Sequence, residues 1–303
     1  MLAEISKNYP LIQETFAEAS DVLGYDLWDL IQSGPIVQLN QTDKTQPAIL
    51  AASVALWRLW CTETSDAIKP NFVAGHSLGE YTALVASDSL SLSDGVKLVE
   101  RRGQLMQEAV PVGQGGMAAI LGLDDELVVE ICNQITQEQN GLVQAVNFNA
   151  PGQVVIAGNV DTVTRAVSLC KERGAKRALV LPVSVPSHCD LMHPAAEKFA
   201  ENIEKIKWNP LSIPLVQNVS AEITTDLTMI KTNLLTQLYQ PVRWTESIHC
   251  LVKEGVHNIV ECGPGKVLSG LNKRSAKDTK SYFLETPEAF LSTLEQLAEQ
   301  KDY

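Results

Sequence analysis

The chain has 303 residues and a formal net charge of −12, with 45% hydrophobic and 20% charged residues. That balance suits a globular protein with a substantial core, and it argues against nucleic-acid binding, which needs clustered Lys and Arg over the phosphates. No apolar run approaches the ~18 residues of a membrane span, "MLAEISKNYP" lacks the apolar stretch of a secretory signal, and six scattered cysteines with neither a C-x-x-C pair nor metal-ligand spacing fit free thiols in a cytoplasmic protein without a metal site.

The first 35 residues read as helical. Phe16, Ala19 and Leu23 follow i, i+3, i+7, and Gly24 is placed to stop that helix. "TQPAILAASVALWRLW" is apolar almost all round and reads as a buried helix with Pro47 near its start. "NFVAG" is a short strand candidate that runs into "HSLGE", and a helical "EYTALVAS" follows at once. A further helix covers "SLSDGVKLVERRGQLMQEA".

Residues 112–184 change pattern. A strand in "GMAAILGL" precedes a helix in "DDELVVEICNQIT", then strands in "LVQAVNF" and "QVVIAG" flank the turn "NAPG". A helix in "VDTVTRAVSLCKERG" and a strand in "KRALVLPVS" complete a β-α-β-β-α-β order, which predicts a ferredoxin-like subdomain over 112–184. It is inserted into a larger α/β domain made of 1–111 and 185–303. Strand candidates in "SIPLVQNVSA" and "HNIVECGPG" are separated by a helical stretch, "IKTNLLTQLYQPVRWTESIHCLVKEG", and Thr286 and Pro287 are suited to cap and begin a last helix. Strands alternating with helices predict a mainly parallel sheet.

Strand, Gly-x-Ser-x-Gly, helix is the arrangement of a nucleophile elbow. Gly75 and Gly79 are expected to relieve crowding around a sharp turn that leaves Ser77 at a helix N-terminus, where the Leu78 N–H can stabilise an oxyanion. A serine hydroxyl needs a base, usually histidine. His76 lies inside the motif and is badly placed to serve Ser77, while His249 and His257 flank a predicted helix end. His188 sits in the turn-rich loop "PVSVPSHCDLMHP" and is the preferred base, with His193 in the same loop. No carboxylate partner is evident, since Asp190 is only two residues from His188. Arg101 and Arg102 read first as a solvated helix face, but a guanidinium could also grip a substrate carboxylate with two parallel hydrogen bonds. The basic stretches 171–177 and 266–277 read as solvated helix ends or as docking points for an acidic partner.

Six strings in order, "GHSLGEYTALVAS", "ERRGQLMQEAVP", "AVNFNAPGQVVIAG", "GAKRALVLPVSVPSHCDLMHPAAEK", "QLYQPVRWTES" and "VECGPGKVLSGLNKR", together resemble the bacterial malonyl-CoA:acyl-carrier-protein transacylases over nearly the whole chain. The resemblance implies an α/β-hydrolase-like core with a ferredoxin-like insertion, in a monomer without cofactor. It implies that Ser77 is malonylated by malonyl-CoA and hands the group to the phosphopantetheine thiol of acyl carrier protein, in fatty-acid synthesis. It makes His188 the general base, the backbone carbonyl of Gln237 its orienting group, and Arg102 the partner of the malonyl carboxylate. It also carries a departure: members of the family begin with a strand and an "FPGQGSQ"-type loop that supplies a second oxyanion donor, whereas this sequence starts at Met1 inside the following segment. A truncated or mis-started chain is the expectation. The competing readings are a serine thioesterase or hydrolase, and an impaired chain that only binds carrier protein or CoA.

Overall fold

A computed structural model of the chain describes residues 1–65, 67–138 and 140–299. They form an α/β protein whose elements, in chain order, begin with α1 (Leu11–Leu23), α2 (Leu27–Ser33), α3 (Ile36–Leu39) and α4 (Thr42–Glu63). Next come β1 (Val73–Ala74), α5 (Gly79–Ala86) and α6 (Leu92–Ala109). The middle of the chain supplies β2 (Gly115–Leu121), α7 (Asp125–Glu138), β3 (Val143–Ala150), β4 (Gln153–Asn159), α8 (Val160–Glu172), β5 (Arg177–Val180) and α9 (His193–Lys205). The last third holds β6 (Leu215–Val216), β7 (Ile223–Thr224), α10 (Leu227–Thr236), α11 (Trp244–Lys253), β8 (Asn258–Glu261), α12 (Val267–Ser275), β9 (Lys280–Phe283) and α13 (Pro287–Glu299). Two compact units divide these elements: Met1–Gly103 with Ile206–Val216 and Leu251–Tyr303, and Gln104–Lys205 with Gln217–Cys250.

The first unit is a helical layer with short parallel strand pairs. Val73 pairs with Leu215 and Ala74 with Val216, and β8 runs parallel to β9. Helix α1 stops at Gly24, as its position predicts, with φ +75° and its N–H donating to Ser20 O. Helix α4 is buried over most of its length, but it starts earlier than "TQPAIL" suggests. Pro47 is its sixth residue, in the second turn, where the missing N–H would otherwise bond back to Asp43. Thr286 caps α13 through Oγ1 accepting from the Ala289 N–H at 3.2 Å, and buried Phe290 packs against Tyr9 and Trp60.

In the second unit the predicted β-α-β-β-α-β order is present as an antiparallel sheet in the order β3-β4-β2-β5. Alternation sends Ala118, Ile120, Val154 and Ile156 to a face covered by α7 and α8, where Val128, Ile131, Val163 and Ala166 complete a core. Met117, Val155 and Ala157 point to the opposite face, where Cys189 and Leu191 pack. The apolar second face explains why this unit extends past the 112–184 segment. Cys189 and Leu191 of the 185–205 segment pack on it, and Val242 joins the edge of β3 by accepting from the Phe148 N–H and donating to Val146 O. The helical stretch expected across 230–255 is two helices, α10 and α11, broken at 237–243 around Pro241.

Candidate active site

In the first unit the elbow forms within nine residues. Ser77 sits between β1 and α5 with φ +51°, a left-handed conformation that costs a non-glycine residue of order 1–3 kcal/mol and persists only when its surroundings fix it. What fixes it is a backbone-to-backbone approach. A Cβ on Gly75 would lie 1.9 Å from the Gly79 carbonyl carbon, whereas a Cβ on Gly79 would meet open space. The crowding expected at both glycines is therefore confined to Gly75. The first N–H groups of the α5 turn are satisfied locally, Gly79 by His76 O at 2.9 Å and Glu80 by Ser77 O at 3.1 Å. Among the described residues none accepts the Leu78 N–H.

Helix α6 brings Arg102 to the serine. Leu98, Arg102 and Leu105 share one buried stripe, so Arg102 lies inside at 2% exposure and the solvated-face reading fails for it. Its Nη2 donates to Ser77 Oγ at 3.1 Å and its Nη1 to Gln46 Oε1 at 2.7 Å. Gln46 is itself buried on α4, and it was not legible as a site residue. It directly follows the polar first turn of α4, residues 42–45, so no local signal sets it apart. The two helices meet because Gly103 has no side chain: a Cβ there would lie 2.6 Å from Asp43 Cα. The Arg102 guanidinium also stands 5.4 Å from the Tyr81 ring centroid. Burial pulls the Arg102 pKa below its ordinary value, with Tyr81 and Glu80 opposing the shift, and burial pushes the Tyr81 hydroxyl up.

In the second unit His188 is 3% exposed and adopts φ +66°. Its Nδ1 lies 2.6 Å from the Gln237 carbonyl oxygen, and its backbone N–H donates to Leu238 O at 3.0 Å. A carbonyl only accepts, so Nδ1 carries the proton and the Nε2 lone pair belongs to the neutral ring. Gln237 is the C-cap of α10, so its carbonyl lies at the negative end of a ten-residue helix. His193 is separated from His188 by burial. It begins α9, half exposed, stacked at 3.8 Å on Tyr239 and 3.7 Å from Asp190. Asp190 instead exchanges two hydrogen bonds with the Gln144 side chain. A cavity of about 240 Å³, lined in part by Cys132, Gln144, Phe148 and Tyr239, borders His188. His249 and His257 are exposed, and His76 keeps its carbonyl in the elbow turn.

The charged side chains of both basic stretches are exposed. Lys171, Arg173, Lys176 and Arg177 stand on the second unit, and Lys266, Lys273, Arg274 and Lys277 on the first. Among the described residues no group of three or more His, Cys, Asp or Glu side chains could hold a metal ion, and no helix is long and apolar enough to cross a membrane.

A model of the acyl transferase domain matches residues 11–286. The malonyl CoA-acyl carrier protein transacylase of Salmonella typhimurium is 52% identical over 296 residues, which is 98% of this chain and 94% of that protein. FabD from Acinetobacter baumannii has a TM-score of 0.95 at 50% identity, covering 99% of this chain and 94% of that one. A malonyl-transacylase solved in complex with its type II polyketide acyl-carrier protein has a TM-score of 0.94 at 49% identity, over 98% and 94% of the two chains. The elbow, the buried arginine and this breadth of likeness place the chain in the acyl transferase domain family, among the malonyl CoA-acyl carrier protein transacylases.

Proposed function

We propose that the protein transfers a malonyl group from malonyl-CoA to the phosphopantetheine thiol of acyl carrier protein, through an acyl-enzyme on Ser77, in fatty-acid biosynthesis. The observation that carries this reading is the buried Arg102 guanidinium bonded to the oxygen of the elbow serine. A hydrolase of neutral acyl groups has no use for a buried cation at its nucleophile. A malonyl ester presents a carboxylate one methylene beyond its carbonyl, within reach of a guanidinium beside Oγ.

In the first half-reaction Ser77 Oγ attacks the thioester carbonyl carbon and His188 Nε2 takes the hydroxyl proton. The tetrahedral oxyanion accepts from the Leu78 N–H, collapse expels the CoA thiolate, and His188 returns the proton to that sulfur. In the second half the carrier-protein thiol loses its proton to His188 and attacks the malonyl ester, and the proton goes back to Ser77. The Gln237 carbonyl at the end of α10 orients His188 and favours its imidazolium form, which supplies the role of a carboxylate. All of this chemistry runs on side chains and backbone of the chain, with the CoA thioester as substrate. A monomer working in the cytoplasm suits the reading. The exposed basic stretches 171–177 and 266–277 suit an acidic carrier protein.

Intact-mass measurement after incubation with malonyl-CoA tests the proposal. One malonyl adduct is expected, abolished by Ser77→Ala and discharged by holo-carrier protein as malonyl-carrier thioester. Release of free malonate at the same rate with and without carrier protein would make the protein a thioesterase. A folded protein that never acquires the adduct would be a binder only.

A further inference from the structure

We infer that Asn218 is a positioning residue for the reaction, acting through Gln237 on His188. This rests on the reading of His188 as the general base. The Gln237 carbonyl that holds His188 Nδ1 is a backbone group, and its direction is set by whatever immobilises residue 237 at the C-terminal end of α10. The Gln237 side chain is fully buried, and its Nε2 donates to Oδ1 of the equally buried Asn218 at 3.4 Å. Its backbone N–H donates to Asn233 O at 2.7 Å.

Asn218 is itself anchored. Its carbonyl accepts the Arg243 N–H at 3.0 Å, and Arg243 Nη1 donates to the carbonyls of Val219 and Ser220. Next to it, Gln217 Oε1 accepts from Asn233 Nδ2 at 2.8 Å, on the last turn of the helix that ends in Gln237. The 217–220 segment thus grips α10 at two points, Asn233 and Gln237, with amides that have left water. In so dry a surrounding a missing partner is expensive. The side-chain contact with Asn218, together with the backbone bond to Asn233, restrains the rotation of residue 237, and with it the aim of the carbonyl at the imidazole. Sub-ångström misdirection there would leave the fold intact while loosening the ring that must move a proton in both half-reactions.

The experiment compares Asn218→Leu, Gln237→Met, the double variant and Asn218→Ser with the parent and with His188→Ala, in the 303-residue chain with malonyl-CoA and holo-carrier protein. Asn218→Leu is expected to lower kcat about tenfold, the scale of one buried hydrogen bond, with KM for malonyl-CoA unchanged. Its acidic limb in the kcat/KM pH profile should move to lower pH, because a misaimed carbonyl stabilises the imidazolium less. Gln237→Met should match it, the double variant should lose no more than either single one, and Asn218→Ser should recover part of the rate. Additive losses, an unmoved acidic limb, or a rate loss that follows only the fall in Tm would overturn the positioning role. If His188→Ala acylates Ser77 as fast as the parent, the assignment of the base itself falls and takes this role with it.

Discussion

Arg102 donates to Ser77 Oγ at 3.1 Å, so the elbow hydroxyl and the buried guanidinium are in direct contact before any substrate arrives. The guanidinium cannot retreat, because Gln46 Oε1 holds its other nitrogen at 2.7 Å and the residue is buried. A buried cation carries its desolvation cost before substrate binds, and under the proposed reading the malonyl carboxylate recovers part of that cost.

Replacing Arg102 by alanine should therefore separate substrates. Malonyl transfer is expected to fall by roughly 10²-fold or more, the scale of losing a buried charge-assisted pair, while acetyl transfer is spared. Parallel kcat/KM measurements with malonyl-CoA and acetyl-CoA check this; equal loss on both would remove Arg102 from specificity.

Gln46→Leu keeps the volume at 46 but removes the acceptor for Nη1. The loss is expected near 1.5–3 kcal/mol for a buried bond to a charged group, appearing mainly as a higher KM for malonyl-CoA. Transfer of an acetyl group should change much less. A uniform drop in kcat for both substrates would point to damage elsewhere in α4.

The two glycines of the elbow should respond unequally. Gly75→Ala sets a methyl 1.9 Å from the Gly79 carbonyl carbon, a clash that only backbone movement relieves, so a stability loss of about 3 kcal/mol or more is expected. Gly79→Ala meets nothing within 4 Å and should leave Tm within a few degrees of the parent. Thermal unfolding of the pair decides, and equal losses would refute the close approach as the reason for glycine at 75.

Burial pushes the thiol of Cys132 up to about 12, of Cys170 to about 11 and of Cys189 to about 12, from an ordinary value of 9.0. Raised folded values mean that the neutral thiols contribute fully below pH 9, and that this contribution disappears as pH rises from 9 through 11–12. At pH 8 iodoacetamide mapping should find these three unreacted in the native protein and modified in denaturant. The urea midpoint should decline between pH 9 and 11.

Charge reversal at Lys176 and Arg177, both exposed, should slow malonyl transfer to carrier protein about tenfold at low salt. The difference should shrink as ionic strength shortens the screening length. Stopped-flow measurement of the two half-reactions checks it: formation of the malonyl-enzyme from malonyl-CoA should fall less than its discharge.

Local sequence determined a good deal. The elbow lies within nine consecutive residues, and its strand, turn and helix follow from an apolar run, two glycines and a helical pattern. The β-α-β-β-α-β order and the Thr286 cap were legible for the same reason, since periodicity and capping act over a few residues. The local pattern left Arg101 and Arg102 together, and only burial in the folded chain separates Arg102 from its neighbour. Tertiary structure alone decided what those residues meet. Gln46 reaches Arg102 across 56 positions, and the carbonyl at 237 reaches His188 across 49. The break between α10 and α11 that frees this carbonyl from the helix ladder was hidden in a stretch that read as one helix. A backbone carbonyl carries no side-chain signature, and the direction in which it points depends on packing between distant segments, so periodicity and spacing could not announce it and only the family resemblance named Gln237.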